Sequence, residues 1–231
     1  DPENPRWEGR DRVVLSKGHA GPAWYAALAE SGFFGRDMLL TLNQGHTDLP
    51  SHPDRLKTPG VDMTTGSLGQ GCSTAAGIAY ANRLKGSDAY TYLIVGDGEL
   101  NEGQCWEAFQ FIAHNRLNRC IVIIDDNKKQ LDGYTADVMN PFDIAGKMRA
   151  FGFATQRVNG QDVVALDAAI TCAKHTEDSA VAIVMDTVKG AGVPYFEQLM
   201  DNHSVKFNAE AKAAAEAAIA ELEAVIEGSR A

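Results

Sequence analysis

Residues 96–127 read GDGELNEGQCWEAFQFIAHNRLNRCIVIIDDN. The stretch opens on Gly96-Asp97-Gly98, directly after an apolar run, Tyr92-Leu93-Ile94-Val95. It closes on Asn127, after a second apolar run, Ile121-Val122-Ile123-Ile124. Short continuous apolar runs bounded by turn residues read as buried strands, and the amphipathic segment between them reads as a helix. The unit is therefore strand (Tyr90–Val95), helix (Asn101–Asn115), strand (Cys120–Ile124).

The same alternation continues outward. A helix is expected near Phe142–Phe151, a strand near Ala154–Val158, a helix at Val163–His175 and a last strand at Val181–Asp186. On the N-terminal side the opening reads as a loop, followed by a helix over Pro22–Glu30. A Gly/Pro/His-rich loop over about 45–66 comes next, then a small-residue helix over Leu68–Leu84. Strands alternating with helices predict an α/β fold with a parallel β-sheet and helices on both faces. Residues 1–231 are expected to form a single domain, with 208–231 as a C-terminal helical tail. Within it, Asn208 is the expected N-cap of a helix over Ala209–Ile226.

The chain has 231 residues, 45% hydrophobic and 23% charged, and a formal net charge of −10. That is enough length for a packed core. The acidic balance argues against nucleic acid as a partner, because such proteins present basic surfaces. No apolar run reaches the roughly 20 residues of a membrane span, and no signal peptide is visible. Cys72, Cys105, Cys120 and Cys172 follow no metal-binding spacing. They are expected to be buried, reduced thiols, which suits a cytoplasmic protein.

In a parallel sheet, ligands gather outside the carboxyl ends of the strands. Asp97 and Asn127 end consecutive strands and so fall at one edge. A carboxylate and an amide carbonyl are hard oxygen donors, suited to Mg²⁺ or Ca²⁺ with phosphate oxygens completing the shell. Gly96 and Gly98 permit close approach of a ligand to the backbone. A helix starting near Asn101 would aim its N-terminal dipole at a diphosphate. Alternatives stand beside this: Gly-Asp-Gly alone is a common turn, and Glu99 and Glu102 are acids of a kind favoured in any first helical turn. Lys17 and Lys189 read equally as anion partners or solvated lysines. His46 reads as a polar-loop residue, and His114 and His175 as helix-end residues.

The motifs RDRVVLSKGHA, HPD…TPGVDMTTGSLGQG, GDGELNEGQCWEA and DDNKKQLDG, in this order and spacing over nearly the whole chain, resemble the N-terminal, diphosphate-binding domain of transketolase. The resemblance implies thiamine diphosphate as cofactor with Mg²⁺ (or Ca²⁺), and reversible transfer of a two-carbon ketol unit between sugar phosphates. It implies Asp97, Asn127 and the main-chain carbonyl of Lys129 as metal ligands. It places His19, Gly66, Ser67, Leu68, Gly98, Glu99, Asn127 and His203 against the cofactor. His52, His203 and Glu102 are the implied catalytic set, with Glu102 and Glu107 joining the two active sites of a dimer.

In that family the glutamate that contacts the aminopyrimidine lies on a separate pyrimidine-binding domain. The expectation is therefore a split transketolase, in which a C-terminal subunit carries the pyrimidine-binding domain and the assembly is a heterotetramer. The alternatives are a deoxyxylulose-phosphate synthase-like or 2-oxo acid dehydrogenase E1 alpha-like subunit, and a non-catalytic binding protein that keeps the fold.

Overall fold

The computed structural model describes residues 1–230. In chain order the first strands and helices are β1 (Arg12–Leu15), α1 (Gly21–Glu30), α2 (Gln70–Leu84), β2 (Thr91–Gly96), α3 (Gly103–His114) and β3 (Cys120–Asp126). A short hairpin, β4 (Lys129–Gln130) and β5 (Gly133–Tyr134), and a helical turn, α4 (Thr135–Val138), follow. The chain continues with α5 (Ile144–Ala150), β6 (Ala154–Asn159), α6 (Val163–Lys174), β7 (Val181–Asp186), α7 (Pro194–Gln198) and α8 (Ala209–Arg230). The main sheet has the order β1-β2-β3-β7-β6, and every pairing in it is parallel.

Both faces are covered, as the uninterrupted apolar strands require. Val122 and Ile124 of β3 pack with Leu93, Val95 and Val184 beneath α2, α3 and α5. Their neighbours Ile121 and Ile123 point the other way, against Ala169 and Ala173 of α6. The small residues of α2 let it lie close to the sheet. An ideal Cβ on Gly71 would sit 2.5 Å from Ser16 Oγ and 2.7 Å from Ser16 Cα. Gly71→Ala should therefore push α2 off β1. A loss of about 1–3 kcal/mol, the range for overpacking, is expected as a lowered thermal midpoint.

Several expectations need correction. The opening is not all loop: Arg12–Leu15 is the edge strand β1, paired in parallel with β2. The helix predicted from Asn101 begins at Gly103. A 3₁₀ turn, Gly98–Asn101, comes first, capped by Asp97, and Glu102 (ψ 122°) separates the two. The dipole of α3 therefore does not start beside Asp97. Cys172 is exposed on α6, while the other three cysteines are buried. The Asn208 cap is present, with its Oδ1 accepting the Ala211 N–H at 2.8 Å. Ala231, the last residue of the predicted tail, lies outside the described residues. Among the described residues no helix is long and apolar enough to cross a membrane.

A third apolar cluster holds the long loop between α1 and α2. Tyr25 and Leu28 of α1 bury Leu49 and Val61, and Tyr25 Oη donates to the Pro50 carbonyl at 2.7 Å. Thr65 ties the loop's far end to β1, donating through Oγ1 to Leu15 O at 2.7 Å. These contacts bring His52 and Gly66 to the carboxyl edge of the sheet.

Candidate cofactor and metal site

A cleft of about 730 Å³ crosses the carboxyl ends of β1, β2, β3 and β7. The register builds its centre. Gly96 pairs with Asp125, and the Asp97 N–H donates to the Asp125 carbonyl at 3.0 Å, so Asp97 and Asn127 emerge side by side from adjacent strands. Asp97 is only 2% exposed. Its Oδ1 accepts the Gly98 N–H at 2.8 Å and its Oδ2 the Lys128 N–H at 2.6 Å. Burial pushes its carboxyl up to about 6 despite these two bonds, and Asp125 and Asp126 add to the rise. Each oxygen keeps a second lone pair, and a divalent cation there would offset the cost of a buried negative charge.

Asn127 is oriented by its neighbours. Its Nδ2 donates to Asp125 Oδ2 at 3.1 Å, and its Oδ1 accepts the Lys129 N–H at 3.1 Å. Asp125 is the hub of the cleft floor. Lys17 Nζ reaches its Oδ2 at 2.5 Å, and Thr187 Oγ1 donates to its Oδ1. Burial alone would raise Asp125. The Lys17 charge, with the bonds from Lys17, Thr187 and Asn127, outweighs this and holds it below the usual carboxylate range.

One wall is cationic and donor-rich. Lys189 Nζ lies 3.0 Å from His203 Nδ1. An ammonium has only donors, so His203 accepts there and carries its proton on Nε2. The His203 and His19 rings are stacked at a tilt, with centroids 4.9 Å apart. Burial, then His203 and the nearby lysines, lower His19 to about 4, so it is neutral at physiological pH. Burial and Lys189 lower His203 as well. Asn202 anchors this segment by donating to the carbonyls of Lys189 (3.1 Å) and Phe196 (2.8 Å).

Glu99 has a role that a first-turn acid does not. It is 3% exposed and accepts bonds from Ser16 Oγ (2.5 Å), the Gly69 N–H (2.8 Å) and the Gly96 N–H (3.2 Å). Its side chain thus joins the end of β1, the start of α2 and the end of β2. Burial raises its carboxyl. Beneath it, the Cys72 S–H donates to Cys105 Sγ at 3.6 Å, and Cys105 donates to the Glu99 carbonyl at 3.3 Å. The Cys72 contact and burial both raise Cys105, which therefore stays a thiol.

His19, Leu68, Asp97, Gly98, Glu99, Glu102, Asn127, Lys129 and His203 all line the cleft. Lys17 and Lys189, left open by the sequence, line it too. Gly66 and His52 meet just beyond the wall, where a Cβ on Gly66 would lie 3.3 Å from His52 Cγ. Ser67 and Glu107 are exposed and do not line the cleft. His46 is exposed in its loop. His175 Nδ1 bonds the Thr171 carbonyl at 2.7 Å at the end of α6, outside the cleft. Asp125, which opens the DDNKKQLDG motif but is given no role by it, and Thr187, which no motif marks, also line the cleft. A smaller cavity of about 200 Å³, between Ala79, Asn82 and Arg119, holds none of the predicted residues.

Residues 1–220 match the family described as "Transketolase, thiamine diphosphate binding domain". The chain belongs to the transketolase family. A relative from Clostridium sp. (strain MSTE9), a 6-deoxy-6-sulfo-D-fructose transketolase subunit, is 46% identical over 96% of this chain and 80% of its own length. One of the subunits of an apulose-4-phosphate transketolase from Actinobacillus succinogenes is 36% identical, over 85% of this chain and 71% of its own. The crystal structure of transketolase from Campylobacter jejuni superposes on 94% of this chain with a TM-score of 0.86 at 31% identity. The chain spans 35% of that transketolase's length. The parallel sheet covered on both faces is thus the transketolase fold, and the cleft lies where an α/β sheet of this kind binds its ligand.

Proposed function

We propose that this chain is the N-terminal subunit of a split transketolase that transfers a two-carbon ketol unit reversibly between a ketose phosphate and an aldose phosphate. The observation that carries the proposal is the composition of one cleft: hard oxygen donors on its floor, and neutral histidines with lysines on its wall. Asp97, the Asn127 amide oxygen and the Lys129 carbonyl form a donor set for Mg²⁺ (or Ca²⁺). Lys17, Lys189 and His19 line the same cleft and supply the donors that a diphosphate needs. Thiamine diphosphate, when bound, supplies the carbon nucleophile and the electron sink. Gly66, Ser67 and Leu68 form the loop assigned to its ring, and Gly98 and Glu99 border its diphosphate.

The chain's own groups then orient and move protons. His203 lines the cleft with its Nδ1 held by Lys189, and His19 is neutral beside it. As neutral imidazoles each carries one N–H donor, and the acceptor nitrogen of His203 is taken by Lys189. His52 packs against Gly66, and with His203 it is assigned to the substrate oxygens. Glu102 lines the cleft at its α3 end and is exposed, so it is free to meet a second subunit, as is Glu107.

Residues 1–231 act as one diphosphate-binding domain in the cytoplasm, and a partner subunit brings the pyrimidine-binding domain in a heterotetramer. The relatives' designation as subunits supports the partner, and their substrates, a sulfo sugar and a sugar phosphate, support a sugar with an anionic group.

The test is a native pull-down of the tagged chain with Mg²⁺ and thiamine diphosphate present. A stoichiometric second subunit is expected, and the pair should turn over members of a panel of sugar phosphates and 6-sulfo sugars. Turnover at ordinary rates by this chain alone would overturn the split reading.

A further inference from the structure

The turn from β3 into β4 places two of the three metal donors assigned above, Asn127 within it and Lys129 at the first position of β4. Between them stands Lys128, whose φ is +68°. For a side-chain-bearing residue the left-handed region costs roughly 1–2 kcal/mol, a cost that glycine does not incur. The backbone of this lysine is held on both sides. Its N–H donates to Asp97 Oδ2 at 2.6 Å, and its carbonyl accepts the Thr135 N–H at 2.9 Å.

The side chain folds back over the strand ends. Lys128 Nζ donates to the Asp126 carbonyl at 2.6 Å and to Asp186 Oδ1 at 2.6 Å, and lies 2.9 Å from Asp126 Oδ2. Asp126 is 4% exposed, and Arg157 also reaches its carboxylate, at 2.8 Å. Asp126 ends β3 and Asp186 ends β7, so a single ammonium joins two neighbouring strands to the turn that projects from one of them. An exposed glycine would adopt the same φ with no such tether.

We propose that Lys128 is a positioning residue, whose ammonium clamps this left-handed turn so that Asn127 and the Lys129 carbonyl stay aligned with Asp97 for the divalent cation. The inference rests on the metal-site reading above. It predicts that loss of the ammonium weakens the metal, and not merely the fold, because groups behind metal ligands typically govern about 10–100-fold of metal affinity.

The experiment is equilibrium dialysis of thiamine diphosphate at fixed concentration against rising Mg²⁺, using the full chain in the complex in which it purifies. The Mg²⁺ concentration for half-maximal cofactor retention is the readout, with the cation-free melting temperature recorded beside it. Lys128→Met should raise this midpoint by about tenfold or more. Lys128→Gly should raise it too, although it relieves the backbone. Lys128→Arg, which keeps the charge, should restore it. A wild-type midpoint in Lys128→Met, however far its melting temperature falls, would make the residue structural only and overturn the proposal. So would a raised midpoint that Lys128→Arg fails to correct. If Lys128→Met does not fold, Lys128→Gln carries the same comparison. A wild-type protein with no Mg²⁺-dependent retention fails the metal-site reading itself, a result separate from either of these.

Discussion

Asp97→Asn should abolish Mg²⁺-dependent binding of thiamine diphosphate and leave the cation-free protein folded. In the wild type, a ligand at about 100 times its Kd stabilises by roughly 2.7 kcal/mol, which for a domain of this size is about 5–10 °C in Tm. The variant should show none of that rise. The same substitution has a second signature. Burial raises the Asp97 carboxyl from 3.8 to about 6, so between these values the folded state holds a proton that the unfolded chain has released. Stability from this group therefore falls as pH rises through that window, and the cost, roughly 3 kcal/mol, persists above it. In chelator, wild-type stability relative to Asp97→Asn should decline by that order between pH 4 and 7. The amide loses one of the two backbone bonds, but that offset is the same at every pH and drops out of the comparison. A pH-independent difference would mean that the carboxyl is not held in a dry site. A full cofactor-induced Tm rise in the variant would remove Asp97 from the metal.

The alternation of apolar strands and helices carries most of the fold, because a strand buried on both faces leaves a short continuous apolar run, which its length, β-branched residues and flanking turn residues separate from a buried helix. β1 is hidden in the sequence because Arg12–Leu15 is four residues at a sheet edge, too short for a period and preceded by charge. The start of α3 is blurred because Asp97 caps a 3₁₀ turn first, and a polar stretch such as Gly98–Glu102 has no periodicity to separate the two. Asp97 and Asn127 are legible from position alone, since topology puts consecutive parallel strand ends together. Asp125 is not: as an acid at the end of an apolar strand it looks like any solubilising charge until Lys17 and Thr187, from the ends of β1 and β7, arrive on it. Glu99 is obscured for the same reason. Its three partners lie 83, 30 and 3 residues away, and only the folded chain shows that its side chain points inward.

Glu99→Ala should therefore be among the most destabilising single changes in the chain. It strands three buried donors, Ser16 Oγ–H, Gly69 N–H and Gly96 N–H, each costing about 1–3 kcal/mol when left unpaired. The sum is several kcal/mol, and for a domain of this size Tm should fall by roughly 10 °C or more. A first-turn acid on an exposed surface would contribute only about 0.3–1 kcal/mol through the helix dipole, so the size of the effect distinguishes the two roles. Glu99→Gln should cost less. Its remaining oxygen can keep the Ser16 and Gly69 bonds, both of which go to Oε1, and its new N–H₂ faces the Gly96 donor. The damage should also reach the cleft. Ser16 precedes Lys17, Gly69 opens α2 after the Gly66–Leu68 loop, and Gly96 precedes Asp97, so three segments that supply the cofactor site lose their common anchor. Cofactor retention in Glu99→Gln, which should remain folded, is thus expected to weaken in step with the lost bond. Wild-type retention there, together with a Tm change below about 1 °C in Glu99→Ala, would return Glu99 to the surface role that its place in the sequence suggests.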